Sequence, residues 1–285
     1  MRPALSHASA ATGATQRRRA AGLTLGLALC LGGQAACAFD WPGSDARRAQ
    51  QAREMWQARC QKAGEFIHRR ARGVEGVLLL KLRPDSPNRW DQFALDDPYG
   101  GDLGGEAYIQ SFLRGAFRAD YRDIPAGMPP RRGYLWVEAV DPANGQRYRY
   151  TGGMVEPWLR DKNFLPGYQR FEMQRVPAAG LQPAARYGVT YEDISTREDR
   201  LHWIAGSALR VIDLATGEVM AERIGYMFDA LQGNTDRGRQ PWSYAADNAC
   251  PAFDRDLPFR GGQHAVTIKP YQTLDFVEKV LEPVR

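Results

Sequence analysis

The sequence predicts an α+β fold: a single domain built on a twisted, mainly antiparallel sheet, with an N-terminal and a C-terminal helix and one disulfide. Three observations lead there. The stretch from Leu201 to Phe228 reads as two long strands folded back on each other. Helical periodicity marks segments near each end of the chain, while most of what lies between alternates like strand. Two cysteines, Cys60 and Cys250, remain once an N-terminal leader is set aside.

Residues 1–38 read as that leader. Arg17, Arg18 and Arg19 precede an apolar run from Ala20 to Leu31, too short to span a bilayer comfortably, and Ala36-Cys37-Ala38 supplies the small residues a signal peptidase reads. Cleavage after Ala38 would leave Phe39–Arg285 as one domain in the periplasm. Three other readings stay open: lipidation at Cys37, which would hold an otherwise soluble periplasmic domain at a membrane; a twin-arginine route; and an uncleaved anchor. The chain has 38 basic and 33 acidic residues. Arg2, Arg17, Arg18 and Arg19 precede Phe39 with no acid among them, so the mature chain carries only +1. That balance offers nothing to recruit nucleic acid or anionic lipid. In an oxidising compartment Cys60 and Cys250 are expected to pair, closing a loop that stabilises by about 5 kcal/mol on the chain-entropy account. Two separate buried thiols are the alternative. His68, His202 and His264 show no short ligand spacing, so no zinc site is expected.

Ala49, Ala52, Trp56, Cys60, Ala63 and Ile67 recur at helical spacing and predict a first helix from Ser44, its N-cap, to about Gly64. Val74 to Leu82 reads as an interior strand ended by Pro84. Ile109, Phe112, Leu113, Ala116 and Phe117 predict a second helix. Tyr134–Val140 and Gln146–Thr151 flank the turn Asp141-Pro142-Ala143-Asn144-Gly145, and Phe171–Val176 and Arg186–Tyr191 are further strands. In Leu201–Leu214 both alternating sets are apolar, which predicts a central strand covered on two faces. Thr216-Gly217 turns the chain into Val219–Phe228, since Gly takes positive φ cheaply. Gly206 and Gly225 interrupt these strands and predict a bulge or a close approach. Gln232 to Asn248 reads as a polar surface loop apart from Trp242. Val266–Lys269 reads as an edge strand, and Thr273 as the cap of a last helix that Pro283 ends.

Between the first strand and the second helix lies Leu95-Asp96-Asp97-Pro98-Tyr99-Gly100-Gly101-Asp102-Leu103-Gly104-Gly105-Glu106. Its carboxylates sit where a helix N-terminus wants them. The sharper alternative is a calcium site with Asp96, Asp97, Asp102 and Glu106 as oxygen ligands, although the spacing is not that of an EF-hand. A phosphate cradle is disfavoured, because the carboxylates repel an anion and no Lys or Ser/Thr follows in P-loop position.

This stretch, after Gly76-Val77-Leu78-Leu79-Leu80 and Arg83-Pro84 and with Cys60 and Cys250-Pro251, resembles a group of exported proteobacterial proteins across most of the mature chain. Their genes neighbour type VI secretion effectors of the phospholipase type. The resemblance implies an immunity protein that neutralises a toxic lipase by binding it, and it carries no catalytic residues.

The residues themselves weigh binding against catalysis. No Gly-x-Ser-x-Gly follows a strand, and Ser207 falls inside one. His202 is a candidate base, with Asp193, Glu198 and Asp199 upstream, so an envelope hydrolase or a small-ligand or calcium binder remains the alternative. Seven tryptophans and twelve tyrosines favour an interface instead. Tyr148 and Tyr150 are expected on one strand face and Tyr134 with Trp136 on another. No catalytic residue is assigned, and no cofactor apart from that possible calcium.

Overall fold

A computed structural model of the chain describes residues 44–116, 133–253 and 271–284, all within one compact unit, Trp41–Arg285. The leader with its cleavage site, Phe117 and the expected edge strand Val266–Lys269 lie outside the described residues. The fold is α+β. The helices are α1 (Ser44–Cys60), α2 (Gly105–Ser111), α3 (Arg197–Leu201), α4 (Pro241–Ala245) and α5 (Gln272–Val280). The first six strands are β1 (Gly64–Ile67), β2 (Ala71–Val74), β3 (Gly76–Leu79), β4 (Trp136–Val140), β5 (Arg147–Val155) and β6 (Arg170–Pro177). The others are β7 (Tyr187–Asp193), β8 (Ile204–Asp213), β9 (Glu218–Phe228), β10 (Ala249–Cys250) and β11 (Leu281–Pro283).

The main sheet runs β1-β9-β8-β7-β3-β4-β5-β6, with β10 also on β9. Only β3 is parallel to its neighbours, β4 and β7. The expected hairpin supplies the sheet's second and third strands, paired from Ile204↔Phe228 to Asp213↔Glu218. Gly217 turns it at φ 74. The first strand starts later than its apolar pattern suggests. Thr196 and Asp199 form a reciprocal capping box that opens α3, so Leu201 is helical and His202 is the C-cap. Trp203 then takes φ 51 and starts the strand at Ile204.

One row of side chains crosses the sheet as Ala221, Val211, Val189, Leu79 and Ala139. It forms a single core with Tyr108, Ile109 and Phe112 of α2 and Leu274, Val277 and Val280 of α5. Such burial stabilises by about 25 cal/mol per Å² of apolar surface. On the other face α1 packs Ala52 and Trp56 against Ile204, Tyr226 and Phe228. Both faces of β8 are therefore covered, as its double apolar pattern requires. Gly225 and Gly206 mark close approaches and not a bulge. A methyl group on Gly225 would overlap the Tyr99 ring, and one on Gly206 the Tyr226 ring. The register shift lies elsewhere, between Val211 and Ile212.

The disulfide is formed. Cys60 ends α1 and Cys250 lies on β10, with Cα atoms 5.6 Å apart and 190 positions between them in sequence.

Six expectations need correction. The first helix stops at Cys60, and Gly64–Ile67 form β1 instead of extending it. The second helix stops at Ser111, so Leu113 and Ala116 lie beyond it. The strand over Val74–Leu82 is two strands: β2 pairs with β11, and β3 enters the main sheet. Residues 232–248 are not all surface loop, because Pro241 starts α4, and Trp242 is buried against Trp203. Thr273 does not cap α5. It lies inside the helix and is fully buried, and the N–H groups of Tyr271 and Thr273 donate to Asp102 at 2.6 and 2.9 Å. Pro283 does not end α5 either, since Leu281 has already left the helix and pairs with Ala71.

The turn of the β8–β9 hairpin carries an electrostatic clamp. Asp213 is buried and accepts from Arg69 at 2.7 Å and Arg186 at 3.1 Å. These bonds, Arg69 first, hold its carboxyl down at about 2. A depressed carboxylate contributes stability that is fully present above its unfolded value near 4 and is lost as the pH falls through the folded one. The urea midpoint of the wild type should therefore fall more steeply from about pH 4 to pH 2 than that of Asp213→Asn. Parallel acid limbs for the two proteins would remove Asp213 from the account of acid stability.

Candidate functional site

Residues 80–104 leave β3 and cross the sheet as an irregular strap before α2 begins. They hold the acidic, glycine-rich stretch singled out in the sequence. Three anchors pin the strap from below. Arg83 is 3% exposed and donates from Nη1 to Asp97 Oδ2 at 2.7 Å. Its guanidinium lies 3.5 Å from the centre of the Tyr191 ring, whose hydroxyl donates to Leu82 O at 2.8 Å. Burial pulls the Arg83 pKa down, but Asp97 with Tyr108 and Tyr191 together outweigh it, and the guanidinium is held above its ordinary value.

Asp97 is the second anchor. It takes φ 59, a conformation that Asp tolerates better than most residues. Its N–H donates to Asp193 Oδ2 at 2.9 Å, and its Oδ1 accepts from Gly100 N at 2.9 Å. Asp193 is also paired with the buried guanidinium of Arg200 in α3. The third anchor is Tyr99, whose ring covers Gly225. Burial pushes its hydroxyl up to about 12. Asp102 then ties the end of the strap to α5.

The middle of the strap is fixed by its own side chains. Asn88 Oδ1 accepts from Trp90 N at 3.0 Å and Asp91 N at 2.8 Å. Asp91 Oδ1 accepts from Phe93 N at 2.8 Å and Ala94 N at 3.1 Å. These are successive Asx-type turns. Gln92 Nε2 donates to Arg200 O at 2.7 Å, and Trp242 Nε1 donates to Asp91 O at 2.8 Å. A backbone held this firmly nevertheless turns large apolar side chains outward. Trp90 is 49% exposed, Phe93 46% and Leu95 61%, beside Leu201 at 45%. Arg48 donates to Leu201 O at 2.7 Å, and the Arg197 guanidinium sits 5.4 Å from the Phe93 ring centre.

The four acids proposed as ion ligands go separate ways. Asp97 faces Arg83, and Asp102 faces α5. Asp96 accepts from Asn88 Nδ2 at 3.0 Å, with its carboxyl raised by burial. Glu106 is exposed in the first turn of α2. Among the described residues no group of three or more His, Cys, Asp or Glu is placed to hold a metal ion. Of these acids only Glu106 lies at the N-terminus of α2, so the helix-capping expectation also needs correction. Its physical reason is that Asp102 meets a different helix N-terminus, distant in sequence.

His202 caps the C-terminus of α3. Its backbone oxygen accepts from Gln232 Nε2 at 3.0 Å, and its buried Nδ1 has no hydrogen-bond partner. The aromatic set expected at an interface is mostly interior. Tyr134 and Tyr150 are buried in the main core, and Trp136 is buried in a separate cluster, so Tyr134 and Trp136 do not share a face. Tyr148 is half-buried, with its hydroxyl at 2.8 Å from Gln146 Oε1. These rings are parts of the core and not a contact surface. Composition misses the residues that do face outward, Trp90, Phe93 and Leu95. The available signal was the Asn88-x-x-Asp91 spacing around apolar residues in an otherwise polar loop. No family model, curated protein or solved structure matches the chain.

Proposed function

We propose that the chain is an exported periplasmic binding protein of the immunity type, which blocks a toxic phospholipase-type effector by direct contact. The observation that carries the binding role is the strap. Its backbone is fixed by buried ion pairs and side-chain turns, yet it presents Trp90, Phe93 and Leu95 to solvent beside Leu201. A rigid aromatic platform with guanidinium groups at its rim loses little entropy on docking, and Trp and Arg dominate binding energy at protein interfaces. The Cys60–Cys250 crosslink supports an oxidising compartment. The sequence resemblance supports the class of partner.

The test is titration of the purified mature domain into the lipase-type protein encoded beside its gene. We expect stoichiometric inhibition and no turnover by the domain itself. The double variant Trp90→Ala/Phe93→Ala should bind about 30-fold more weakly or worse, with an unchanged urea midpoint. A domain that neither binds nor inhibits that protein would overturn the reading.

A further inference from the structure

The joint between the strap and α5 holds a buried cation that its neighbours do not neutralise. Arg223 of β9 shares a sheet face with Ala221 and Gly225, which points it at this joint. It is 7% exposed. Its Nη1 donates to Gln272 O at 3.1 Å, in the first turn of α5. Gln272 Nε2 donates onward to the strap, to Gly101 O at 2.8 Å and Tyr99 O at 3.3 Å. Arg223 Nε and Nη2 have no hydrogen-bond partner, and neither has Oε1 of the buried Gln272.

The acids nearby are committed elsewhere. Both oxygens of Asp102 accept from the α5 N-terminus. Both oxygens of Glu65, opposite Arg223 on β1, accept from Lys279 at 2.8 Å. Among the described residues no carboxylate is bonded to Arg223. The Tyr99 and Phe276 ring centres stand 5.9 Å from its guanidinium carbon, near the limit of cation–π attraction, whereas Tyr191 meets Arg83 at 3.5 Å. Arg83 also leaves Nε and Nη2 unpartnered, but Asp97 balances its charge. Arg223 lacks that balance, and a buried cation without a counter-charge is strongly destabilising.

The unpartnered edge has a defined chemistry. Nε–H and Nη2–H of a guanidinium point the same way and make a planar fork for an oxyanion. This molecule uses that edge on its own carboxylates, with Arg147 and Arg149 on Glu138 and Arg170 on Glu172. One cation between apolar rings neutralises one negative charge, and a phosphate dianion would leave a second one buried. The fork therefore suits a singly charged carboxylate.

We infer that Arg223 is the receptor for a small carboxylate ligand, held edge-on by Nε and Nη2 where the strap meets α5. A 2-hydroxy acid fits best, because its hydroxyl supplies the donor that Gln272 Oε1 lacks. The fork is shielded from solvent, so the ligand enters as the joint opens, and binding is slow. This site is independent of the lipase reading and of the outward face of the strap.

The experiment is titration of the mature, disulfide-bonded domain with sodium lactate, sodium acetate or sodium chloride at equal ionic strength and pH 7. Calorimetry and the urea midpoint are the readouts. Lactate should raise the wild-type midpoint saturably, and acetate should bind about fivefold more weakly for want of one hydrogen bond. Arg223→Met should lose the response. In chloride alone its midpoint should equal or exceed that of wild type, since the stranded charge is gone. Arg223→Lys keeps the charge without the fork and should bind about tenfold more weakly or worse. Trp90→Ala/Phe93→Ala should respond like wild type. Wild type that responds saturably to neither carboxylate overturns the assignment, as does an equal response from Arg223→Met. A Met variant less stable than wild type in chloride also overturns it, because the guanidinium is then compensated within the chain. A saturable response to phosphate, with lactate and acetate inert, overturns the ligand class.

Discussion

Serine at both Cys60 and Cys250 is expected to lower unfolding stability by about 5 kcal/mol. The bridge spans 190 positions, so it constrains most of the unfolded chain. Loop-closure entropy grows only as the logarithm of that span, which places the expected effect near the top of the usual range. Total stability of a domain this size is about 5–15 kcal/mol, so the loss would leave the fold near its threshold. Local contacts soften the change. Trp56 still meets the Phe228 ring at 4.9 Å, and Ala52 stays buried, so α1 has apolar reasons to remain on β9. β10 is weaker, being only Ala249 and Cys250 paired to Met227 and Tyr226. Urea unfolding of the oxidised protein against the double serine variant checks this. Equal midpoints would mean that the bridge only joins segments already held together in the unfolded state. The same contrast bears on compartment: protein made in reducing cytoplasm should show the lower midpoint, and protein from the periplasm the higher.

What could be read beforehand divides by the range of the interactions. The β8–β9 hairpin was legible because alternation along each strand and a Thr-Gly turn are local signals. The disulfide was legible by counting. α3 was hidden although its capping box, Thr196 to Asp199, is also local, because Leu201 and Trp203 continue the strand's alternation backward into it. α4 was announced by Pro241 at a first helical position, but the polar residues around it masked the signal. The strap was legible as an unusual acidic, glycine-rich stretch with local Asx signals, but its long-range anchors were not. Asp102 and the α5 N-terminus lie 171 positions apart at the longer of their two bonds, and Asp97 meets Asp193 across 96. Periodicity carries no information at those separations. For the same reason the tyrosines were misplaced. Tyr150 alternates like any half-exposed strand residue, and only the packing of the main core buries it.

The strap also sets the second large effect. Asp97→Asn keeps the side chain's shape, tolerates φ 59, and leaves an oxygen for Gly100 N to reach, so it removes little besides charge. Arg83 would then be a buried cation with no carboxylate, its Nε and Nη2 already lacking partners in the wild type. Removing one member of a buried pair costs about 3–5 kcal/mol, mostly the penalty of the charge left behind. Replacing both members is much milder, so Arg83→Met/Asp97→Asn should recover a large part of the loss. That recovery distinguishes stranded charge from simple loss of packing, which the double variant would worsen. Amide exchange locates the damage. Protection of residues 88–97 should fall in the single variant before that of β8 and β9, because the strap hangs on this pair while the hairpin holds itself by its own ladder. If the platform owes its rigidity to the pair, Asp97→Asn should also bind the lipase-type protein more weakly under conditions where it is fully folded, although Asp97 is buried and touches no partner. A variant with wild-type stability and wild-type exchange in the strap would show that Trp90 and Phe93 are held out by the Asx turns alone.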